Sequence, residues 1–272
     1  MNVYWLEQSE RDLPAEDDWL SAREAVCLNA LRFAKRRADW RLGRWTAKCA
    51  VSAYLAVPAH FDVLKKIDIR PAPDGAPEVF IGGQAAGVTI SLSHRSGMAI
   101  CAVAATGVDL GCDLELVEPR SDAFVADYFT VEEQVRIAQA SADDRHRLVT
   151  VLWSAKESAL KALRAGLRLD TRSVMVDPFV PSFRCDGEFN SQRNDELGGW
   201  TPLRVRYASR CSLENLSDDD HHSIDRVFHG WWQSADDIVR TVVGTPAPES
   251  PILLQVKGHA LSRASDAAGR RA

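Results

Sequence analysis

The sequence predicts an α+β protein built from two similar halves. A helix-like segment is written twice, as WTAKCAV from Trp45 and as WSAKESAL from Trp153, 108 positions later. Each copy is followed by a short polar break and a strand-like run, VLKKIDIR after the first and TRSVMV after the second. Alternating strand patterns lie between and after the two copies. We therefore expect a duplicated fold whose halves pack against each other, with a functional site in the seam between them.

The first half, residues 1–108, contains the first copy of the helix and then PAPDGAPEVFIGG, a turn-rich segment with a short apolar run. ISLSH and GMAICAVAA follow and are typical of two strands, with a turn over residues 95–97. This order predicts a helix packed on a small antiparallel sheet.

The second half, residues 109–247, begins with the strand GVDLGCDLELV. We predict that SDAFVADYFTVEEQVRIAQA is helical, with Thr130 as a capping residue, and that the second copy of the repeated helix runs from about residue 147 and stops at Gly166. Strands are predicted at SVMVDPF, WTPLRVRYAS, HGWWQ and DIVRTVVG, and LSDDDHHS is predicted to be a polar loop. Residues 248–272 are rich in Pro, Ser, Ala and Arg, which predicts a disordered tail.

The composition restricts the functional classes. The formal net charge of −5 argues against nucleic-acid binding driven by a global basic field. No run of 18 apolar residues is present and the first residues lack a long apolar region, which predicts a cytoplasmic protein without a membrane partner. The six cysteines form no C-x-x-C pair and have no histidine at zinc-site spacing, so we expect buried, reduced thiols at Cys27, Cys49, Cys101, Cys112, Cys185 and Cys211.

The strand GVDLGCDLELV gathers acidic residues on one side. Strict alternation places Asp109, Gly111, Asp113 and Glu115 on one face and apolar residues on the other. Three carboxylates on one face repel each other, and a hard cation such as Mg²⁺ would relieve that repulsion. An exposed strand whose acids keep it soluble explains the same pattern equally well.

The second copy of the helix separates a core stripe from a polar face. Trp153, Glu157, Lys161 and Arg164 lie opposite the stripe, which comprises Leu148, Leu152, Ala155, Ala159 and Leu163. Glu157 and Lys161 have the spacing of a surface salt bridge, which is the simpler interpretation. However, the first copy has Cys49 where the second has Glu157, which favours a face packed in the seam over a solvated one. Charges there need partners, and a metal and a phosphate would serve.

Basic and histidine residues lie upstream of the acidic strand. Five cations fall within ten residues, and they are Lys35, Arg36, Arg37, Arg41 and Arg44. They form either a solvated helix end or a phosphate clamp. His94 closes ISLSH, and the turn that follows would suit a phosphate or serve only as a turn.

Together these segments resemble the Sfp-type 4′-phosphopantetheinyl transferases. That family is marked by a G-x-D-x-E strand and, about forty residues later, W-S-x-K-E-x-x-x-K, which match residues 111–115 and 153–161. Ser93-His94 and the residues 41–44, RLGR, match its upstream motifs. The resemblance runs from about residue 30 to about residue 175. It implies the family's pseudo-duplicated α+β fold, acting as a monomer.

The resemblance also implies an activity, the Mg²⁺-dependent transfer of phosphopantetheine from coenzyme A (CoA) to a serine of a carrier protein. Asp113, Glu115 and Glu157 would bind Mg²⁺ together with the CoA pyrophosphate. Lys161 and His94 would contact the phosphates, and Lys161 could protonate the leaving 3′,5′-ADP. Glu157 would take the serine proton directly or through a water. Fatty-acid, polyketide and non-ribosomal peptide carriers are all possible partners.

The residues expected to contact the nucleotide depart most from the family pattern. By resemblance, the residues near the nucleotide would be Arg41, Arg44, Ser93 and Lys156. The family's G-K-P turn is Gly75-Ala76-Pro77 here, without the lysine, and residues 35–37 are candidates to replace it. Two other classes fit the same residues: a metal-dependent hydrolase of CoA or nucleotides, and a non-catalytic binding module.

Overall fold

The computed structural model describes residues 1–165, 168–178, 199–208 and 225–256. Strands and helices are mixed, so the predicted α+β class is confirmed. The strands are β1 Tyr4–Ser9, β2 Ile67–Pro71, β3 Pro77–Ile81, β4 Gln84–Ala85, β5 Val88–Arg95, β6 Met98–Ala105, β7 Asp109–Leu116, β8 Val174–Pro178, β9 Thr201–Ala208, β10 Asp225–Ala235, β11 Ile238–Thr245 and β12 Ile252–Leu253. The helices are α1 Ala22–Ala30, α2 Ala34–Tyr54, α3 Phe61–Leu64, α4 Asp122–Tyr128, α5 Val131–Gln139 and α6 Ala142–Ala162.

The two copies of the repeated segment form the long helices α2 and α6. Helix α2 packs on a four-stranded sheet in the order β12-β1-β6-β5, beside a small sheet in the order β2-β3-β4. Helix α6 packs on a five-stranded sheet in the order β7-β11-β10-β9-β8. The sheets divide between β6 and β7, and we propose the boundary between the halves there, at residues 108 and 109.

The seam forms where the edge strands β5 and β7 meet. Ser91 Oγ accepts a hydrogen bond from the main-chain N–H of Cys112, so a side chain joins the two edges. Beneath this contact, a shared apolar cluster draws residues from β1, β6, β7 and β11. Glu7 on β1 and Arg240 on β11 form a two-point ion pair across the same seam. The halves are therefore joined by buried apolar area as well as by polar contacts.

Both halves contain the same buried ion pair. In the first half, Ser21 and Glu24 form a capping box, and Glu24 pairs with the fully buried Lys48 of α2 and accepts the N–H of Ile69 on β2. The carboxylate thus satisfies a helix end, a strand and a buried ammonium at once. Burial lowers the pKa of Lys48, and Glu24 opposes that shift.

The second half repeats each of these contacts. Thr130 and Glu133 form the capping box, and Glu133 pairs with the buried Lys156 of α6 at 2.8 Å and accepts the N–H of Val176 on β8. This repetition gives the Ala-Lys match between the two copies a physical meaning. The lysine anchors each long helix to its neighbouring elements from the inside.

The predicted helical segment over residues 121–140 forms two helices, α4 and α5, and the predicted cap Thr130 begins the second of them. The predicted bounds of the long helix that follows need correction. Helix α6 begins at Ala142 behind the cap Ser141 and ends at Ala162, with Arg164 in the left-handed conformation. The predicted stop at Gly166 lies outside the described residues.

The two chain ends are more ordered than the sequence suggests. The N-terminal strand β1, which the sequence did not predict, pairs with β6, and β12 pairs in parallel with β1. The predicted disordered tail is therefore wrong for residues 248–256, because β12 adds a strand to the first sheet. The rest of the tail and the predicted loop LSDDDHHS lie outside the described residues.

The thiols follow the prediction in part. Cys49, Cys101 and Cys112 are buried and unpaired, and burial raises their pKa values, that of Cys49 to about 12. Cys27 is exposed on α1, which corrects the expectation that it is buried. Cys185 and Cys211 lie outside the described residues.

Within the described ranges, no helix has both the length and the apolar character needed to cross a membrane.

Candidate active site

A cavity of about 810 Å³ opens beside the seam. Its walls come from both halves: the β2–β3 turn, strand β5 and part of α2 on one side, and the start of β7 and the end of α6 on the other. Ser93, His94, Arg44 and Lys161, all predicted from sequence, line it. The cavity volume lies in the range typical of sites for ligands of drug or cofactor size.

Asp113 lies directly behind the cavity wall. Its side chain is nearly fully buried, and its Oδ1 accepts hydrogen bonds from Ser93 at 2.7 Å and from Lys161 Nζ at 2.8 Å. Its Oδ2 is buried and has no hydrogen-bond partner. The exposed-strand explanation is thus excluded for Asp113, because α6 packs over this part of the strand.

Gly111 explains how the acidic strand and α6 come so close. A Cβ atom added at Gly111 would lie 1.8 Å from the main-chain oxygen of Ser158. Only a residue without a side chain permits this approach. The glycine therefore brings the carboxylate of Asp113 under the side chains of Glu157 and Lys161.

Glu157 projects from α6 toward the same acidic group. Its Oε1 is buried and has no hydrogen-bond partner. Burial, and then the neighbouring charge of Asp113, raises the pKa of Glu157 to about 7, against a smaller opposing effect of Lys161. The surface pair between Glu157 and Lys161, which is the simpler interpretation of their spacing, is not formed, because Lys161 pairs with Asp113 instead.

Glu115 is held by three groups that sequence reasoning did not assign to the site. Trp153 Nε1 donates to its Oε1 at 3.2 Å, and Arg95 and Arg120 pair with it at 3.7 and 3.5 Å. Burial and then Asp113 raise the pKa of Glu115, although both arginines oppose this shift. The sequence feature that could have indicated these contacts is Trp153, because an indole on an otherwise polar helix face suggests a packed position.

The donor set suits a hard cation. Asp113 and Glu157 each keep one buried oxygen without a partner, and Asp113 contributes to raising the pKa of both glutamates. A divalent ion would relieve that repulsion and satisfy the free oxygens. Among the described residues, no three acidic, histidine or cysteine side chains already lie close enough to form a ready-made metal cluster. Binding would therefore require side-chain adjustment, most of all at Glu115.

The cationic groups at the cavity differ in how firmly they are held. Lys161 donates to Asp113 and to the main-chain oxygen of Cys112. Burial acts to lower the pKa of Lys161, but Asp113 and its neighbours outweigh it and raise that pKa, so the ammonium is charged. Burial lowers the pKa of His94, which favours the neutral imidazole. The hydroxyl of Ser93 is already bound to Asp113.

The predicted arginines separate into two classes. Arg44 lines the cavity, its guanidinium lies 5.0 Å from the ring centre of Trp40, and its Nε is buried without a partner. Arg41 points elsewhere: it pairs with Asp17 at 2.7 Å and donates to the carbonyls of Pro14 and Ala15. The expectation that Arg41 lies near the nucleotide is therefore not met in this structure. Positions 41 and 44 are almost a full helical turn apart and therefore lie near the same face of α2. Their guanidinium groups nevertheless point toward different surroundings.

Lys156 is also absent from the cavity. It is fully buried on the opposite side of α6, where it pairs with Glu133 and donates to the carbonyls of Thr171 and Val174. The structure therefore does not support the expectation that Lys156 lies near the nucleotide, because the side chain is fully buried and does not line the cavity. In the two adjacent positions of the motif, Lys156 anchors the helix and Glu157 faces the site.

The internal duplication allows this structural role to be tested. We expect Lys156→Met and Lys48→Met to lower the free energy of unfolding by similar amounts, about 3–5 kcal/mol each, because each leaves a buried glutamate unpaired. Urea denaturation would measure both. An unchanged stability of Lys156→Met, combined with weakened ligand binding, would contradict the anchoring role.

Asp109 completes the acidic strand but not the acidic group. Its carboxylate pairs with Arg226 of β10 at the edge of the cavity, away from the carboxylate of Asp113. The predicted alternation of the strand therefore distributes its acids between two different environments.

Residues 109–197 match the family model of the 4′-phosphopantetheinyl transferase superfamily. The match begins with β7 and includes Asp113, Glu115, Glu157 and Lys161. A comparison with curated proteins found no match. The family match and the α+β architecture agree with each other, so residues 109–197 are similar to the 4′-phosphopantetheinyl transferase superfamily.

Proposed function

We propose that the protein transfers 4′-phosphopantetheine from CoA to a serine of an acyl or peptidyl carrier protein, in a Mg²⁺-dependent reaction. The observation that carries this proposal is the buried acidic group beside the cavity, in which Asp113 and Glu157 each keep a free oxygen and Lys161 supplies a cation. The superfamily match supports phosphopantetheinyl transfer in general. A monomer would suffice, because both walls of the cavity come from one chain.

The donor would lie along the cavity with its phosphates toward the seam. Lys161 and His94 would contact the pyrophosphate, since both line the cavity and Lys161 pairs with Asp113. Arg44 and Trp40 would contact the nucleotide, because a guanidinium with a buried, unpaired N–H suits a phosphate and an indole suits a base. A bound phosphate would also offset the cost of leaving the buried Nε–H of Arg44 without a partner.

Asp113, Glu115 and Glu157 would hold Mg²⁺, which would neutralise the phosphate charge in the reaction. Their free oxygens and mutual repulsion are the features of this chain that fit the ion. Glu115 is held in its present position by Trp153, Arg95 and Arg120, so these residues would control how readily Glu115 binds the Mg²⁺ ion.

Group transfer needs one proton removed and one returned. The carrier serine oxygen would form a bond to the β-phosphorus of CoA while the bond to 3′,5′-ADP breaks. Glu157, directly or through a water, would accept the serine proton, because its pKa near 7 suits a general base. Lys161 would protonate the departing phosphate, since it is charged and lines the cavity. Positioning and charge stabilisation would supply most of the rate enhancement.

The reaction can be tested by intact-protein mass spectrometry. Purified protein, CoA and Mg²⁺ would be mixed with apo carrier proteins from fatty-acid, polyketide and non-ribosomal peptide systems. We expect one phosphopantetheine to be added to at least one carrier, and none when EDTA replaces Mg²⁺ or when the carrier serine is changed to alanine. Degraded CoA with unmodified carriers would identify a hydrolase instead. Intact CoA with unmodified carriers would favour a binding module.

A further inference from the structure

Arg164 lies at the mouth of the cavity and connects the two halves. It follows the end of α6, and its guanidinium pairs with Asp74 at 3.3 Å and with Glu78 at 3.4 Å. Asp74 belongs to the β2–β3 turn and Glu78 to β3, so the pairs run from the second half to the first. All three residues line the cavity.

The main chain at Arg164 is unfavourable for an arginine. Its φ is 55°, in the left-handed region where glycine commonly ends a helix. Ala56 occupies the same position after α2, also with φ of 55°, and the two lie 108 positions apart as the two tryptophans of the repeat do. The fold therefore imposes this conformation in both halves, but only the second half places a long cationic side chain there.

The present partners of Arg164 hold it weakly. Both distances exceed those of tight charge-assisted hydrogen bonds, and all three side chains are between about a third and a half exposed. Asp74 also accepts the N–H of Ala76 within its own turn, so it does not depend on Arg164. Exposed ion pairs of this kind contribute little to stability and exchange readily.

The other cations at the cavity wall are more firmly placed. Lys161 is tied to Asp113, and Arg44 is half-buried on α2, with its Nε atom fully buried. Arg164 follows Lys161 by three residues, but its side chain reaches toward the β2–β3 turn rather than toward Asp113. Without Arg164, the carboxylates of Asp74 and Glu78 would repel an anionic ligand at this edge.

We propose that Arg164 is a donor-specificity residue whose guanidinium exchanges Asp74 and Glu78 for a phosphate on the nucleotide half of CoA. The inference rests on the proposed function, because it takes CoA as the ligand of this cavity. A planar guanidinium binds phosphate through two parallel hydrogen bonds, which are stronger than its present exposed pairs. The reacting, phosphopantetheine half of the donor would lie at Lys161 and the acidic group instead.

The first test removes the side chain without harming the main chain. Glycine favours the left-handed conformation, so Arg164→Gly should fold at least as well as the wild type. Ala56→Gly makes the same change of backbone in the first half, outside the cavity, and is the matched control. Isothermal titration would measure binding of CoA, 3′,5′-ADP and 4′-phosphopantetheine in the presence of Mg²⁺.

We expect Arg164→Gly to weaken binding of CoA and 3′,5′-ADP by about tenfold, as for loss of one bidentate phosphate contact. Binding of 4′-phosphopantetheine should not change, and Ala56→Gly should bind all three ligands like the wild type. Unchanged CoA affinity in Arg164→Gly, or an equal loss for 4′-phosphopantetheine, would overturn the proposal.

A second variant distinguishes phosphate binding by Arg164 from a purely structural ion pair between the two halves. Asp74→Asn with Glu78→Gln removes the carboxylates but keeps Arg164, so CoA should bind at least as tightly as to the wild type. If the double variant weakens CoA binding as much as Arg164→Gly does, the ion pairs between the halves are needed for binding. That result would refute the proposed exchange of carboxylates for phosphate. Failure of the wild type to bind CoA or 3′,5′-ADP would refute the proposed function together with this inference. Wild-type binding with no effect of Arg164→Gly would refute the inference alone.

Discussion

Glu157→Gln is expected to slow transfer severely while leaving the protein as stable as the wild type or more so. The rate of carrier modification should fall by about 10²- to 10⁴-fold, the range for loss of a general base. The buried Oε1 of Glu157 has no partner, so its charge costs free energy in the folded state. Neutral glutamine removes that cost. Mass spectrometry of the carrier and thermal unfolding in EDTA would measure the two effects.

The gain in stability should depend on pH. The pKa of Glu157 is raised from 4.5 to about 7, so the folded wild type binds this proton more tightly than the unfolded chain does. Its stability therefore decreases as the pH rises through that interval, and Glu157→Gln escapes the decrease. The variant should melt a few degrees above the wild type at pH 8, by the usual scaling of about 2–4 °C per kcal/mol, and close to it at pH 4.5.

Magnesium and a matched control complete this test. Mg²⁺ should raise the Tm of the wild type by binding the folded state, and raise that of Glu157→Gln less. Asp122→Asn removes a carboxylate that is exposed and pairs with Arg145 on the surface, so it should change neither the rate nor the response to Mg²⁺. A wild-type transfer rate in Glu157→Gln would refute the role of this carboxylate.

Gly111→Ala is expected to have the largest effect on folding. The new methyl group would lie 1.8 Å from the main-chain oxygen of Ser158 and 3.0 Å from the main-chain nitrogen of Ala162. Both obstacles are backbone atoms, so no rotamer change can relieve the clash, and α6 must move away from β7. We expect a loss of roughly 3 kcal/mol or more in the free energy of unfolding, at the upper end for overpacking.

The same displacement should impair the site, because Glu157 and Lys161 on α6 must remain close to Asp113 on β7. Gly43→Ala is the matched control: Gly43 is inside α2, and its added Cβ would meet no atom within 4 Å. It should increase stability by about 0.5–1 kcal/mol, as expected for alanine in a helix. Denaturant unfolding would measure both variants, and similar stabilities for the two would refute the close-approach argument.

The paired lysines show why a motif alone does not assign a role. Lys156 and Glu157 are adjacent in the chain, and the resemblance placed both at the ligand. Successive helix residues point about 100° apart, so one can face the core while the other faces the seam. The first half contains the buried lysine without the glutamate, which indicates that the lysine belongs to the fold and the glutamate to the site.

The sequence by itself determined the elements and their duplication. Alternation predicted β7, helical periodicity predicted α2 and α6, and the Thr130 capping signature marked the start of α5, because these signals arise from neighbours a few residues apart. The repeat also predicted that Glu157 and Lys161 would face a seam. These conclusions required only local chemistry and the comparison of one half with the other.

Only the tertiary structure decided which groups are partners. Lys161 meets Asp113 across 48 positions, Lys156 meets Glu133 inside the core, and Arg41 turns to Asp17 while Arg44 turns to the cavity. The final strand β12 joins β1 from the other end of the chain. Such contacts depend on how distant elements pack, because a long polar side chain bonds to whichever acceptors the packing brings within its reach. Local periodicity carries no information about those acceptors.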